Sequence, residues 1–558
     1  MNTKKTYLLF FLFACLWWAC GSDEVETIAK DTETMGGLSP DARYGFLFLE
    51  VQKKEVFKDS KTFADCIPKR TTVDIVAAFE EERSQPGFDL KAFVDANFEK
   101  PIYINQKISI DSNRTVFQYI QSQLPALQRE VDLSSTSSLL GMTKPYLASA
   151  TNMDETYYWN SYFTMLGLKQ LGDQKMMTNM VENCTQLMGV NGQVPSSNRS
   201  YSTSRSHPPH FALMVNLLLE ESNPPPIKTF LPWLQREYDF WMDGLVGLSS
   251  DIPSYRRVVR LETGQILNRY WDDDPKPRPE QYREDKALAR SLVAPKEKSY
   301  QQIKAAEETT YRHIRAAAES GWDFSSRWFS DQQYMASIHT TDIIPVDLNA
   351  LLYYLEATLS KAYASTGDDE QAVLFEQRMT NRRAAIMQFC WNAQNGFFMD
   401  YDWVARKQTG VYSLAAVYPL FFSIADTTQA VQVAVKLKRD FLKPEGLVCT
   451  TNETGQQWDA PFGWAPLHWM AVRGLDNYGL DSLSQTISNR WVDLNLKAYQ
   501  QNGEILGKYN VVNTDAVSES NRFQTSKDKF NWGNDVLLNL INLDSLKKAP
   551  YAKPSTDK

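Results

Sequence analysis

The chain has 558 residues, 43% of them apolar and 23% charged, with a formal net charge of −8. That balance suits a protein with a sizeable buried core and excludes a nucleic-acid footprint, because there is no basic surplus to neutralise phosphates. The 15 Trp and 26 Tyr are residues that usually fill cores, but flat rings in a cleft also stack on sugar faces, so the count mildly favours a carbohydrate site.

At the N-terminus, Lys4 and Lys5 precede an apolar run from Tyr7 to Ala19. The run is too short to span a bilayer and has the layout of a signal peptide over residues 1–20. It ends at Cys20, followed by Gly21, Ser22, Asp23 and Glu24, the context of a lipoprotein processing site; Cys15 is the competing position. One lipid on Cys20 tethers a chain to a membrane without spanning it. Residues 21–42 are polar and acidic and read as a linker.

Beyond the linker the spacing is helical. Ile227, Phe230, Leu231, Leu234, Tyr238, Trp241 and Met242 step by three or four before Gly244. Leu348, Leu351, Leu352, Leu355 and Leu359 follow Pro345, and Val431, Ala434 and Leu437 repeat the pattern. Val536, Leu537, Leu540 and Leu543 close the series, and alternation of period two is scarce. Aromatic-rich polar connections at 191–209, 268–285, 319–328 and 449–466 are where a helical scaffold would carry chemistry. The expectation is a single all-α domain over residues 43–548, a toroid of helical hairpins gathering its loops at one mouth, with a frayed tail at 549–558. Cys66, Cys184, Cys390 and Cys449 show neither zinc nor disulfide spacing and read as structural thiols. His207, His210, His313, His339 and His468 have no ligand spacing, so no metal and no cofactor is expected.

Several motifs carry more. The chain reads QWDAPFGWAP at 457–466, NRSYSTSRSHPP at 198–209, NRYWDDDPKPRPEQYRED at 268–285 and ESGWDFSSRW at 319–328. With VQKKEVFKDSKTFADCIPK at 51–69, FDLKAFVDANF at 88–98, EYDFWM at 237–242 and PVDLN at 345–349, they lie in order along the chain. Together they resemble the trehalase family, glycoside hydrolase family 37. That resemblance implies an (α/α)6 barrel and hydrolysis of α,α-trehalose to glucose with inversion. The expected partner is a small disaccharide met by a monomer at the cell envelope. Inversion uses two carboxyl groups roughly 6.5–9.5 Å apart, one protonating the leaving oxygen and one activating water. The matching acid is Asp323, whose apolar neighbours Trp322 and Phe324 suit a carboxyl that must hold its proton. The matching sugar-binding positions are Trp159, Asn198, Arg205, Arg278, Trp458, Asp459 and Trp464. Arg327 and Glu319 are as well explained by a salt bridge with each other.

The sequence departs from the family pattern in one direction. Its sugar-binding Arg is Asn152, and the Asp after Trp159 is Asn160, while Glu155 is retained. The Gln before Pro-Pro is His207, and the Asn of P-N-G-W is Phe462. The E-K-Y-D segment bearing the family's general base reads Gly507, Lys508, Tyr509 and Asn510, and Arg522 or Phe523 stands where a second Glu belongs. One reading is a hydrolase of trehalose or a related glucoside whose base comes from Glu504, Asp515 or Glu519. The other is a carbohydrate-binding envelope lipoprotein with hydrolysis reduced or lost.

Overall fold

The computed structural model describes residues 37–101, 114–133, 136–292, 299–513 and 530–541. Cys15, Cys20, Asp515, Glu519, Arg522, Phe523 and the tail lie outside them.

Thirteen helices of the described residues build the main body, besides the helix Tyr282–Leu292 that packs on its flank. They are α1 (Val116–Leu127), α2 (Tyr158–Leu171), α3 (Gln174–Asn191), α4 (Phe211–Leu219), α5 (Leu231–Met242), α6 (Tyr300–Ser320) and α7 (Val346–Ala364), then α8 (Asp369–Phe389), α9 (Tyr418–Phe421), α10 (Thr427–Lys436), α11 (Ala465–Asp476), α12 (Asp481–Asn502) and α13 (Trp532–Leu540). Two-residue to four-residue links join α2 to α3, α7 to α8 and α11 to α12, and links that short force antiparallel neighbours. Helices α2, α4, α7, α9, α11 and α13 touch in a ring, and the ring closes where α13 packs on α2, the last inner helix against the first.

The inner helices are apolar nearly all round. In α2 every residue from Tyr158 to Leu168 is buried, so no polar face marks it in the sequence. The outer helices begin with ordinary caps: Thr115 closes a capping box on Gln118, and Asp426 closes one on Gln429. The expected runs fall on helices, with a 3-10 turn at Ile227–Phe230 leading into α5 and Leu437 opening the π turn that follows α10. Leu543 lies outside the described residues.

Residues 40–99 form a separate apolar cluster in which Tyr44, Leu47, Phe48, Phe63, Ile75, Phe79 and Phe98 interlock. Its first helix is Pro40–Tyr44, so the ordered chain starts before residue 42, where the linker was expected to end. Cys66, Cys184, Cys390 and Cys449 are buried free thiols. Short ribbons trim the barrel mouth. One pairs Phe462 with Asn510, Gly463 with Tyr509 and Trp464 with Lys508, and so brings the 457–466 motif beside Gly507.

Candidate active site

A cavity opens where the inner helices begin. Tyr157 caps α2, Trp464 caps α11, and Trp532 is the first residue of α13. All three line the cavity with Trp159, Asn160, Arg205, His207, Arg278, Glu280, Asp323, Gln457 and Trp458.

Asp323 is placed by a rigid joint. Helix α6 ends at Gly321, whose φ is 79°. A Cβ there would collide with Cε3 of Trp159 and stand 2.6 Å from Cζ3, so only glycine allows the chain to pass so close. The Gln457 amide then donates to the Asp323 carbonyl, and Trp458 N–H donates to the Phe324 carbonyl at 3.2 Å. The acid segment and the 457–466 motif are thus laced together by backbone.

Asp459 completes that lacing from behind. It accepts from Ser325 Oγ at 2.7 Å, Ser326 N–H at 2.8 Å, Ser326 Oγ at 2.9 Å and Thr450 Oγ1 at 2.9 Å. It is fully buried and is not among the residues lining the cavity, so its place is that of an anchor rather than a sugar contact. Asn198 is displaced in the same way. Its side chain accepts from Thr156 N–H at 2.8 Å and fixes the approach to α2, facing a small apolar pocket with Met180 and Cys184.

The other expected residues converge on the cavity. Arg278 grips Asp285 through Nε at 2.9 Å and Nη2 at 2.8 Å. Burial works against its charge, but Asp285 outweighs burial and raises its pKa. Its guanidinium lies 5.5 Å from the Phe324 ring. Arg205 donates to Glu280 at 2.8 Å. Trp458 stacks on Trp464 at 4.2 Å and 7°, with Trp159 and Trp322 at 5.4 and 5.2 Å around it. With neighbours on its faces, Trp458 is a pillar of the wall more than an open platform.

Arg327 and Glu319 do not pair with each other. Arg327 holds Asp347 at 2.7 Å and Asp400 at 2.6 Å, while Glu319 meets Arg257 at 2.9 Å and accepts from Trp271 N–H at 2.7 Å. Both are buried ties between loops.

Sequence reasoning did not single out Lys61, Tyr157, Glu280, Gln457 or Trp532. Lys61 reaches the cavity from the N-terminal layer and binds Glu155 at 2.8 Å, which Arg199 also holds at 2.8 Å. Burial alone would raise the Glu155 pKa, but the two cations hold it well below the usual carboxylate range. The signal available for Lys61 was its position inside the matched 51–69 segment. His207 lines the cavity and accepts the Trp159 N–H through Nδ1 at 3.3 Å. Burial, with Arg205 and His210 nearby, lowers its pKa to about 3, so it is neutral at physiological pH.

At Gly507, the position that the resemblance matches to the family base, there is no room for a side chain. A Cβ on Gly507 would collide with Nε1 of Trp532 and stand 2.6 Å from Cδ1, so the indole fills the volume that a side chain at 507 needs. Asn160 stands nearby in the wall, its amide nitrogen without a hydrogen-bond partner among the described residues. Glu504 is exposed, beside Tyr119, and is not among the cavity-lining residues. The carboxylates lining the cavity, among the described residues, are Asp323 and Glu280. No group of metal-ligating side chains occurs among the described residues.

Comparison with known proteins agrees with this geometry. The family model "Trehalase" matches residues 53–544. A putative periplasmic trehalase of Salmonella typhi is 39% identical over 531 residues, covering 95% of this chain and 90% of that protein. The periplasmic trehalase of Salmonella schwarzengrund matches at the same identity and coverage. Among solved structures, neutral trehalase Nth1 from Saccharomyces cerevisiae superposes with a TM-score of 0.57 at 24% identity, covering 73% of this chain and 76% of that one. That likeness is in fold, and it agrees with the closed ring of inner helices. A family model that spans nearly the whole chain, with relatives at 39% identity, settles the assignment: the chain belongs to the trehalase family.

Proposed function

We propose that the cavity binds α,α-trehalose or a closely related glucose-containing disaccharide and that Asp323 protonates the glycosidic oxygen. The observation that carries this reading is the joint of Gly321, Trp159, Gln457 and Trp458, which presents Asp323 to a cavity also lined by Arg205 and Arg278. Guanidinium groups hold adjacent hydroxyls, and the indoles give the sugar an apolar wall.

Inversion also needs a carboxylate to take a proton from the attacking water. Gly507 supplies none, and the Trp532 ring fills the space beside it. The chain therefore works as a base-deficient trehalase: it binds disaccharide and releases glucose slowly. Periplasmic placement follows the Salmonella relatives, which are named periplasmic, and Cys20 is the proposed lipid attachment site.

The test is calorimetric titration with trehalose beside a glucose-release assay. Binding with release slowed by about 10²–10⁴ relative to a family member with its base intact is expected. Azide should raise turnover. It attacks the anomeric carbon without losing a proton and forms the C–N bond as the C–O bond breaks. Asp323 gives its proton to the departing oxygen, and the product is the β-glucosyl azide. Fast release that azide does not change would overturn the base-deficient reading, and absence of any disaccharide binding would overturn the site.

A further inference from the structure

We propose that the barrel carries a second small-molecule site at its far mouth, fitted to a neutral, polyhydroxylated ring such as a hexose. The site is separate from the catalytic cavity and does not depend on the reading of that cavity.

The catalytic cavity lies where α2, α11 and α13 begin. Toward their other ends a second cavity of about 490 Å³ opens, within the about 300–1,000 Å³ of ordinary small-molecule sites. No residue lines both cavities. All six inner helices contribute to the second one: α7 and α9 bring Tyr354 and Phe421, and α4 and α13 bring Asn216 and Asn539. Helix α2 supplies Tyr162, Leu166 and Lys169, and α11 supplies Trp469, Arg473 and Asn477. Steps of three or four put each set on one face of its helix, so the wall is built from the faces that meet inside the ring.

The lining combines rings with side-chain amides. Tyr354, Phe421 and Trp469 are half-buried, which leaves part of each ring open to cover the C–H face of a sugar. Asn216 Nδ2 donates to Tyr354 Oη at 2.8 Å and to Thr358 Oγ1 at 3.1 Å. Gln170 Nε2 donates to Asn539 Oδ1 at 3.0 Å, and Asn477 Nδ2 donates to the Phe421 carbonyl at 2.8 Å. In Asn216, Gln170 and Asn477 the nitrogen is thus spent on the protein. Their oxygens are not sealed in: Asn216 and Gln170 are half-buried and Asn477 is exposed. The Tyr354 hydroxyl accepts from Asn216, and the Tyr162 hydroxyl accepts from Trp469 Nε1 at 3.5 Å. Each keeps its own hydrogen to give. Acceptors and donors therefore stand side by side.

The charges of the wall are already matched. Lys169 pairs with Glu220, and Arg473 pairs with Asp476 at 3.0 Å. An ionic ligand would have to displace one of these partners. An apolar ligand would cover the amide oxygens without answering them. A hydroxyl both donates and accepts, and a neutral ring carrying several of them meets the amides, the phenols and the open aromatic faces together.

The experiment is fluorine NMR on the full chain labelled with 5-fluorotryptophan, titrated with glucose, with trehalose and with glucose 6-phosphate. The Trp469 signal, identified as the one missing from Trp469→Phe, should shift saturably with millimolar glucose or trehalose. Glucose 6-phosphate should bind no tighter than glucose. Asn477→Ala removes an exposed acceptor and should weaken the response about three- to ten-fold. Leu217→Phe narrows the cavity from α4 and should weaken it too, its fold checked by thermal transition. A Trp469 signal that stays fixed, or a shift unchanged by both variants, would overturn the second site. Binding of glucose 6-phosphate ten-fold tighter than glucose would overturn the neutral ligand. Movement confined to the signals lost in Trp159→Phe or Trp464→Phe would also overturn it while the catalytic cavity stands. Movement of the Trp469 signal while those stay still would support the second site and count against the catalytic one.

Discussion

The two walls of the cavity are built differently. The acid wall is held by many converging ties: Gly321 passes against Trp159, the Gln457 side-chain amide reaches the Asp323 carbonyl, and the Asp459 carboxylate ties Ser325, Ser326 and Thr450. The water wall depends on what single side chains do, at Asn160, Gly507 and Trp532. A position woven into four hydrogen bonds changes only at the expense of the fold. A side chain that merely projects into a cavity can be exchanged while the barrel stays intact. This contrast shows how the family scaffold can keep its barrel while side chains at the cavity wall change.

The largest effect expected on the acid wall is chemical. Asp323→Asn should remove about 10²–10⁴ of whatever turnover the chain has, with disaccharide affinity nearly unchanged by calorimetry. An equal loss of affinity would mean that Asp323 holds substrate instead of protonating it.

Asp459→Ala tests whether the acid wall is anchored as described. It leaves the hydroxyls of Ser325, Ser326 and Thr450 buried without their acceptor, so a loss of about 3–5 kcal/mol in denaturant unfolding is expected. A loss below about 1 kcal/mol would show that the lacing is not what holds Asp323.

The water wall has a pH-dependent footing. Glu237 is buried under α2, where it accepts from the Tyr158 hydroxyl, and burial pushes its pKa up to about 8. The folded state therefore holds this proton more tightly than the unfolded chain does. The contribution is complete below about pH 4.5 and is lost as pH rises toward and past about 8. Glu237→Gln keeps a neutral partner for Tyr158 and should flatten that decline, worth on the order of 4 kcal/mol at pH 8. Identical pH–stability curves for both proteins would show that Glu237 ionises freely.

The smallest effect separates packing from chemistry at 507. Gly507→Glu alone must push Trp532 aside, so it should destabilise by about 1–3 kcal/mol and gain little turnover. Adding Trp532→Ala opens the space, and the pair should turn over faster than either single variant. If Gly507→Glu alone restores fast glucose release, the indole does not block the base position.

The sequence determined the family and the helical class, and it pointed to Asp323 as the residue proposed to protonate the glycosidic oxygen. Colinear motifs record backbone contacts, and contacts such as that of Gly321 with Trp159 are what a family keeps. It also placed Gly507 and Asn160 where the resemblance leads one to expect carboxylates, because a change of side chain is visible in one dimension. The ring itself was less legible, since α2 is buried on every side and carries no periodic polar face. Only the tertiary structure decided which motif residues face the cavity. Asp459 and Asn198 sit in the right motifs yet point into the wall, and Arg327 and Glu319 bind partners elsewhere in the chain. Lys61 arrives from a layer more than 90 residues before its partner Glu155. Spacing along a chain sets which face of a helix a residue occupies. Which neighbour that face meets, and so whether a carboxylate is an anchor or a reagent, is set by how the helices close.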